Sequence, residues 1–156
     1  MEVRFFLCAE SAVVDSTSNK MTILNVVEEL SAVGFPAVMP LLTMVTLLSR
    51  KKAEADKPHM NIICTQNNKP IFNVPIEPEF QSKLRTRTIV GVQGVVLPGP
   101  GTLTVTLIHK KKSIAAWPIE VLDASSAPMT VRPQPAVASG TTSAPKHPRI
   151  PRRRHR

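Results

Sequence analysis

Apolar and polar positions alternate along most of this chain with a period of two, the period that sends successive side chains to opposite faces of a β-strand. Val3, Phe5, Leu7 and Ala9 interleave with Arg4, Phe6, Cys8 and Glu10. Asp15-Ser16-Thr17-Ser18-Asn19-Lys20 then predicts a turn, because Asp, Asn and Ser side chains bond their own backbone. Met21, Ile23, Asn25 and Val27 begin a second run. Glu28-Glu29-Leu30 would suit a helical turn, but the neighbouring Val26-Val27 favours strand. Phe35-Pro36 and Met39-Pro40 predict an irregular crossing, since proline donates no ladder hydrogen bond.

Leu41 to Leu48 is apolar on both faces, as expected of a central strand covered on two sides. A charged loop from Arg50 to Lys57 follows, and Met60, Ile62 and Cys64 alternate after it. Gln66-Asn67-Asn68-Lys69 predicts a hairpin turn into Ile71 to Ile76, and Pro70, Pro75 and Pro78 push that strand to a sheet edge. Thr86 to Leu97 is a strand interrupted by Gly91 and Gly94, which mark a bulge or close backbone packing. Pro98-Gly99-Pro100-Gly101 is a strong turn. Beyond it Leu103, Val105 and Leu107 face one way and Thr102, Thr104 and Thr106 the other. His109 to Ser113 turns the chain back, and Trp117, Ile119 and Val121 form the last strand, with Trp117 expected between the sheets.

About eight short strands, with no amphipathic helix beyond roughly ten residues, predict an all-β fold: a single antiparallel β-sandwich, with a partly closed β-barrel as the alternative. The pattern stops at residue 123. Residues 1–123 have a net charge of +2, whereas 124–156 hold seven Lys/Arg, no acid and 6 of the 15 prolines. Such a composition cannot bury enough surface to offset chain entropy of about 1–2 kcal/mol per residue. The domain boundaries are therefore 1–123 for the β-sandwich and 124–156 for a disordered, proline-rich basic tail.

Met1-Glu2-Val3-Arg4-Phe5-Phe6-Leu7-Cys8-Ala9-Glu10, Asn19-Lys20 and Asn25-Val26-Val27-Glu28-Glu29-Leu30 carry a resemblance, as do Phe35-Pro36-Ala37, Arg87-Thr88-Ile89-Val90 with Gln93-Gly94, and Pro98-Gly99-Pro100-Gly101-Thr102-Leu103. Over residues 1–122 the chain resembles a family of small uncharacterised bacterial all-β proteins. The resemblance implies an all-β domain in a bacterial cytoplasm. It supplies no catalytic or binding residue.

Candidate chemistry is sparse. The N-terminal apolar run, Phe5 to Ala9, is too short and wrongly flanked for a signal peptide, and no stretch reaches the roughly 20 apolar residues of a membrane helix. Cys8 and Cys64 lie 56 positions apart, but no Trp comes shortly after Cys8 and the chain has no Tyr, so an immunoglobulin-type bridge is not expected. Reduced, buried thiols fit a cytoplasmic protein. His59, His109 and the two cysteines make no zinc-ligand spacing, so no metal or cofactor is expected. No nucleophile elbow is present. Neither glycine pair precedes a helix that could cradle phosphate. Glu28-Glu29 would point to opposite faces, and Glu77 and Glu79 lack an apolar pocket, so both pairs read as solvated surface.

Two basic groups remain. Lys83, Arg85 and Arg87 alternate on one strand face, either as a charge-blunted edge or as a patch for an anionic ligand or acidic partner. Lys110-Lys111-Lys112 reads as a solvated hairpin tip. In the tail, Arg149, Arg152, Arg153, Arg154 and Arg156 have forks suited to phosphate oxygens and would contact polyanions in a salt-sensitive way. The expected function is a non-enzymatic binding or assembly module with a protein partner. The alternatives are weak, non-specific nucleic-acid association through the tail, and a small-ligand or enzyme site assembled from distant strands.

Overall fold

The computed structural model describes residues 1–126. Among them nine strands form two facing sheets that do not close into a barrel. They are β1 (Glu2–Val14), β2 (Met21–Val26), β3 (Glu29–Ala32), β4 (Ala37–Ser49), β5 (Met60–Gln66), β6 (Lys69–Ile76), β7 (Arg85–Leu97), β8 (Gly101–His109) and β9 (Lys112–Asp123). The first sheet has the order β2-β1-β4-β7 and the second β3-β9-β8-β5-β6. All pairs are antiparallel except β3 with β9. This is the expected all-β sandwich, with one strand added and one parallel contact. A 3-10 turn, Ala124–Ser126, continues from β9 into the span expected to be tail. The remainder of that tail lies outside the described residues.

The core follows from alternation. Leu103, Val105 and Leu107 of β8 are fully buried, with Ile119 and Val121 of β9 and Ile62 and Cys64 of β5 beside them. From the other sheet come Phe6 and Cys8 of β1, Leu42, Met44 and Leu48 of β4, and Val95 and Leu97 of β7. In β1 the core phase differs from the sequence expectation. The register shifts between Val3 and Phe5. Such a bulge adds one residue and reverses the faces beyond it. Val3, Phe6 and Cys8 therefore pack on the core, while Phe5 and Leu7 pair with Leu47 and Val45 on the opposite face.

Strand β4 runs through Pro40, where the sequence suggested an irregular crossing. Pairing of β1 with β4 ends at Ala9–Thr43, and the β4–β7 register skips Pro40 opposite Gly94. Proline is tolerated because neither neighbour requires its missing N–H. Pro70 and Pro75 sit on β6, which is an edge as expected. The Pro98–Gly101 turn is held by polar contacts. Gln66 Nε2 donates to the Gly99 carbonyl at 2.6 Å, and Asn67 Nδ2 to that of Pro100 at 3.2 Å. Gly101 has φ 123°, and a Cβ there would lie 2.4 Å from Asn67 Oδ1, so only glycine fits.

Trp117 faces inward opposite Val105 but is half-buried, not enclosed. Strand β3 covers β9 only from Glu120 to Asp123, which leaves the indole at the sandwich margin. Its Nε1 donates to the Val27 carbonyl at 2.7 Å and so ties β9 to the crossing between the sheets. Trp117→Phe keeps the ring and drops this bond. The expected loss is about 1 kcal/mol, measured as a lower urea midpoint at unchanged slope.

Candidate functional site

The β1–β2 hairpin brings the basic residues together. In the sheet order β7 lies two strands from β1, yet the hairpin tip reaches it. Arg87 donates from Nη1 to the Asn19 backbone carbonyl at 2.9 Å and from Nη2 to the Asn19 side-chain oxygen. The hairpin therefore arches across the outer face of β4. This cover accounts for the burial of Val45 and Ala9, which lie on the side away from the main core. The turn forms for local reasons. The Asp15 carboxylate accepts from the backbone N–H groups of Thr17 and Ser18, both at 2.8 Å, and Asn19 takes the left-handed conformation at φ 54°. Those backbone bonds hold the Asp15 carboxyl below its usual value.

Beside the tip is a cleft of about 410 Å3, lined by Val14, Asn19, Leu47, Lys83, Arg85, Thr86, Arg87 and Ile89. The three basic residues singled out in sequence thus share one site, although Lys83 precedes β7 and is not on its face. Val14, Leu47 and Ile89 give the cleft an apolar floor. Arg87 is already used by Asn19. Among the described residues, no hydrogen bond or ion pair reaches the side chains of Lys83 or Arg85.

An arginine with a largely covered side chain, which sequence reasoning missed, supports the cleft. Arg50 donates from Nε to the Lys83 carbonyl at 3.1 Å, from Nη1 to the Glu54 carbonyl at 2.6 Å and from Nη2 to Asp56 Oδ1 at 2.7 Å. Its guanidinium carbon lies 5.2 Å from the ring centre of Phe80, a residue buried in the core. Asp56 also receives the backbone N–H of Ser82 at 2.9 Å. Gln81 and Ser82 are left-handed at φ 50° and 62°, and these contacts hold them so. Lys83 is thereby presented from a fixed turn. In sequence Arg50 is one of three adjacent cations, with nothing to separate it from Lys51 and Lys52.

The other candidates have ordinary partners. His59 Nδ1 lies 2.9 Å from Glu77, and Lys57 pairs with Glu79, so the two carboxylates are held by separate partners. His109 Nδ1 is 3.3 Å from the His59 carbonyl. Cys8 and Cys64 are free and fully buried. Burial pushes both thiols up to about 12, and neighbouring Cys64 adds to the shift of Cys8. Among the described residues no cluster of three His, Cys, Asp or Glu could hold a metal ion, and no helix is long and apolar enough to cross a membrane. A second cleft of about 380 Å3, with Val27, Leu30, Met39 and Leu97 in its wall, contains one carboxylate, Glu10, which accepts from Asn25 Nδ2 at 2.6 Å. A lone, hydrogen-bonded carboxylate makes no acid–base pair. Arg149, Arg152, Arg153, Arg154 and Arg156 lie outside the described residues.

No curated protein matches the chain. The model of a family of unknown function (DUF6941) matches residues 4–122, which is nearly the whole sandwich and the span over which the spaced motifs gave the resemblance. The chain belongs to that family.

Proposed function

We propose that this protein is a non-catalytic binding module that takes an acidic, partly apolar peptide segment in the cleft beside the hairpin tip. One observation carries the reading: among the described residues the side chains of Lys83 and Arg85 have no partner, and they converge with Arg87 over an apolar floor. Two free cations favour carboxylates, and Val14, Leu47 and Ile89 favour aliphatic side chains between them. A segment alternating the two suits both. The free, buried thiols fit a reducing compartment, and we place the protein in a bacterial cytoplasm.

The test uses an acetylated peptide of alternating glutamate and leucine, titrated against the full chain at two salt concentrations. Binding should weaken as salt rises, because exposed charge pairs are screened. Lys83→Glu with Arg85→Glu should weaken it about tenfold or more, equal to about 1.4 kcal/mol. Duplex DNA is the comparison ligand. Salt-sensitive DNA binding that survives both reversals, with no binding of the peptide, overturns this reading in favour of polyanion contact through Arg149, Arg152, Arg153, Arg154 and Arg156.

A further inference from the structure

The two sheets have four edges, β2 and β7 in one and β3 and β6 in the other. An exposed edge presents unpaired N–H and C=O groups, and proteins blunt it with short strands, prolines, bulges or charge. Three of the four are blunted. Strand β3 has four residues, β6 contains Pro70 and Pro75, and β2 has six residues with Asn25 left-handed at φ 54°. Strand β7 differs. It has 13 residues, no proline, and no charged residue from Thr88 to Leu97. Thr88, Ile89, Val90, Val92, Val95 and Val96 are all β-branched, the composition that pairs most readily. Its charges, Arg85 and Arg87, guard only one end, and the guanidinium of Arg87 is drawn across the outer face to Asn19. Among the described residues no backbone group outside β4 bonds the backbone of β7, although the carbonyls of Glu79 and Asn19 accept from the side chains of Thr86 and Arg87.

We propose that β7 is the contact between two copies of this chain, paired antiparallel about Ile89. The strand is self-complementary in this arrangement. Its two faces alternate without interruption from Arg85 to Gln93, until Gly94 at φ 66° breaks the phase. The midpoint of that run is Ile89. A two-fold axis there sets Arg85 opposite Gln93 and Arg87 opposite Gly91, so no cation faces another. The register adds about eight to ten backbone hydrogen bonds and joins the two four-stranded sheets into one continuous sheet. A second copy matches the edge along the whole run with like faces together, which is the condition for a closed two-fold contact.

The experiment combines mass with crosslinking on the full chain. Light scattering should give twice the chain mass at high protein concentration. Ile89→Cys places two thiols opposite each other across the axis, where antiparallel partners have Cα atoms about 4.5–5.5 Å apart, within disulfide reach. The native thiols stay in place, since both are fully buried. Under mild oxidant Ile89→Cys should yield a disulfide-linked dimer. Thr104→Cys, on the outward face of β8, should stay monomeric on a denaturing gel. A monomer at all concentrations overturns the proposal, as does a native dimer in which both variants crosslink equally or neither does.

Discussion

Arg50→Ala should destabilise the domain by about 3 kcal/mol. The side chain is only 8% exposed; it closes the 50–56 loop through the Glu54 carbonyl and Asp56 and joins that loop to the 80–84 turn through the Lys83 carbonyl. Alanine would leave the Glu54 and Lys83 carbonyls without their donor and remove the cation from above Phe80. Asp56 would lose its ion pair with Arg50, at a cost moderated because its side chain is 42% exposed and can be hydrated. Arg50→Lys is the informative companion. An ammonium keeps the charge but has no planar fork to reach three acceptors on different segments. It should recover less than half of the loss. Urea unfolding measures both, read as a midpoint shift at constant slope. Lys83 is held through its own carbonyl by Arg50, so Arg50→Lys should also weaken peptide binding while the domain remains folded. An Arg50→Ala variant as stable as the parent would show that the two loops are held by something else.

The parts of the fold that were legible in sequence are those where one face is uniformly apolar. Leu103, Val105 and Leu107 alternate with three threonines, and the structure buries the first set completely. Strand β1 was legible as a strand but not in phase. Phe5 and Phe6 are both apolar, so alternation cannot say which faces the core once a bulge has been inserted. Strand β3 was not legible. Four residues, Glu29–Ala32, hold too few apolar positions to show a period, and their place is set by parallel pairing with β9 some 90 positions later. The candidate site divides in the same way. Period two aligned Arg85 and Arg87, a local relation. The contact of Arg87 with Asn19 spans 68 positions, and Arg50 owes its role to Phe80 and Asp56 on separate loops. Long-range topology decides both, and no local pattern encodes it.

Alkaline pH should destabilise the domain through two groups with no part in the cleft. Cys8 and Cys64 come from opposite sheets into one core, and burial raises each thiol from 9.0 to about 12. In the unfolded chain both ionise near 9, while in the folded domain both remain protonated. The folded state therefore binds more protons than the unfolded state between these values, and stability falls as pH rises. The contribution is fully present below pH 9 and is lost toward 12. Each thiol costs about 1.4 kcal/mol per pH unit in this window, so the pair removes about 3 kcal/mol by pH 10. The test compares urea midpoints at pH 8 and pH 10 for the parent and for a Cys8→Ala, Cys64→Ala variant. The variant starts lower, because two buried side chains are truncated. Its midpoint should then change much less with pH, since both thiols are gone. Equal slopes would mean that the thiols ionise in the folded core. A thiol reagent at pH 8 should agree with the outcome, leaving both cysteines unmodified until urea opens the sandwich.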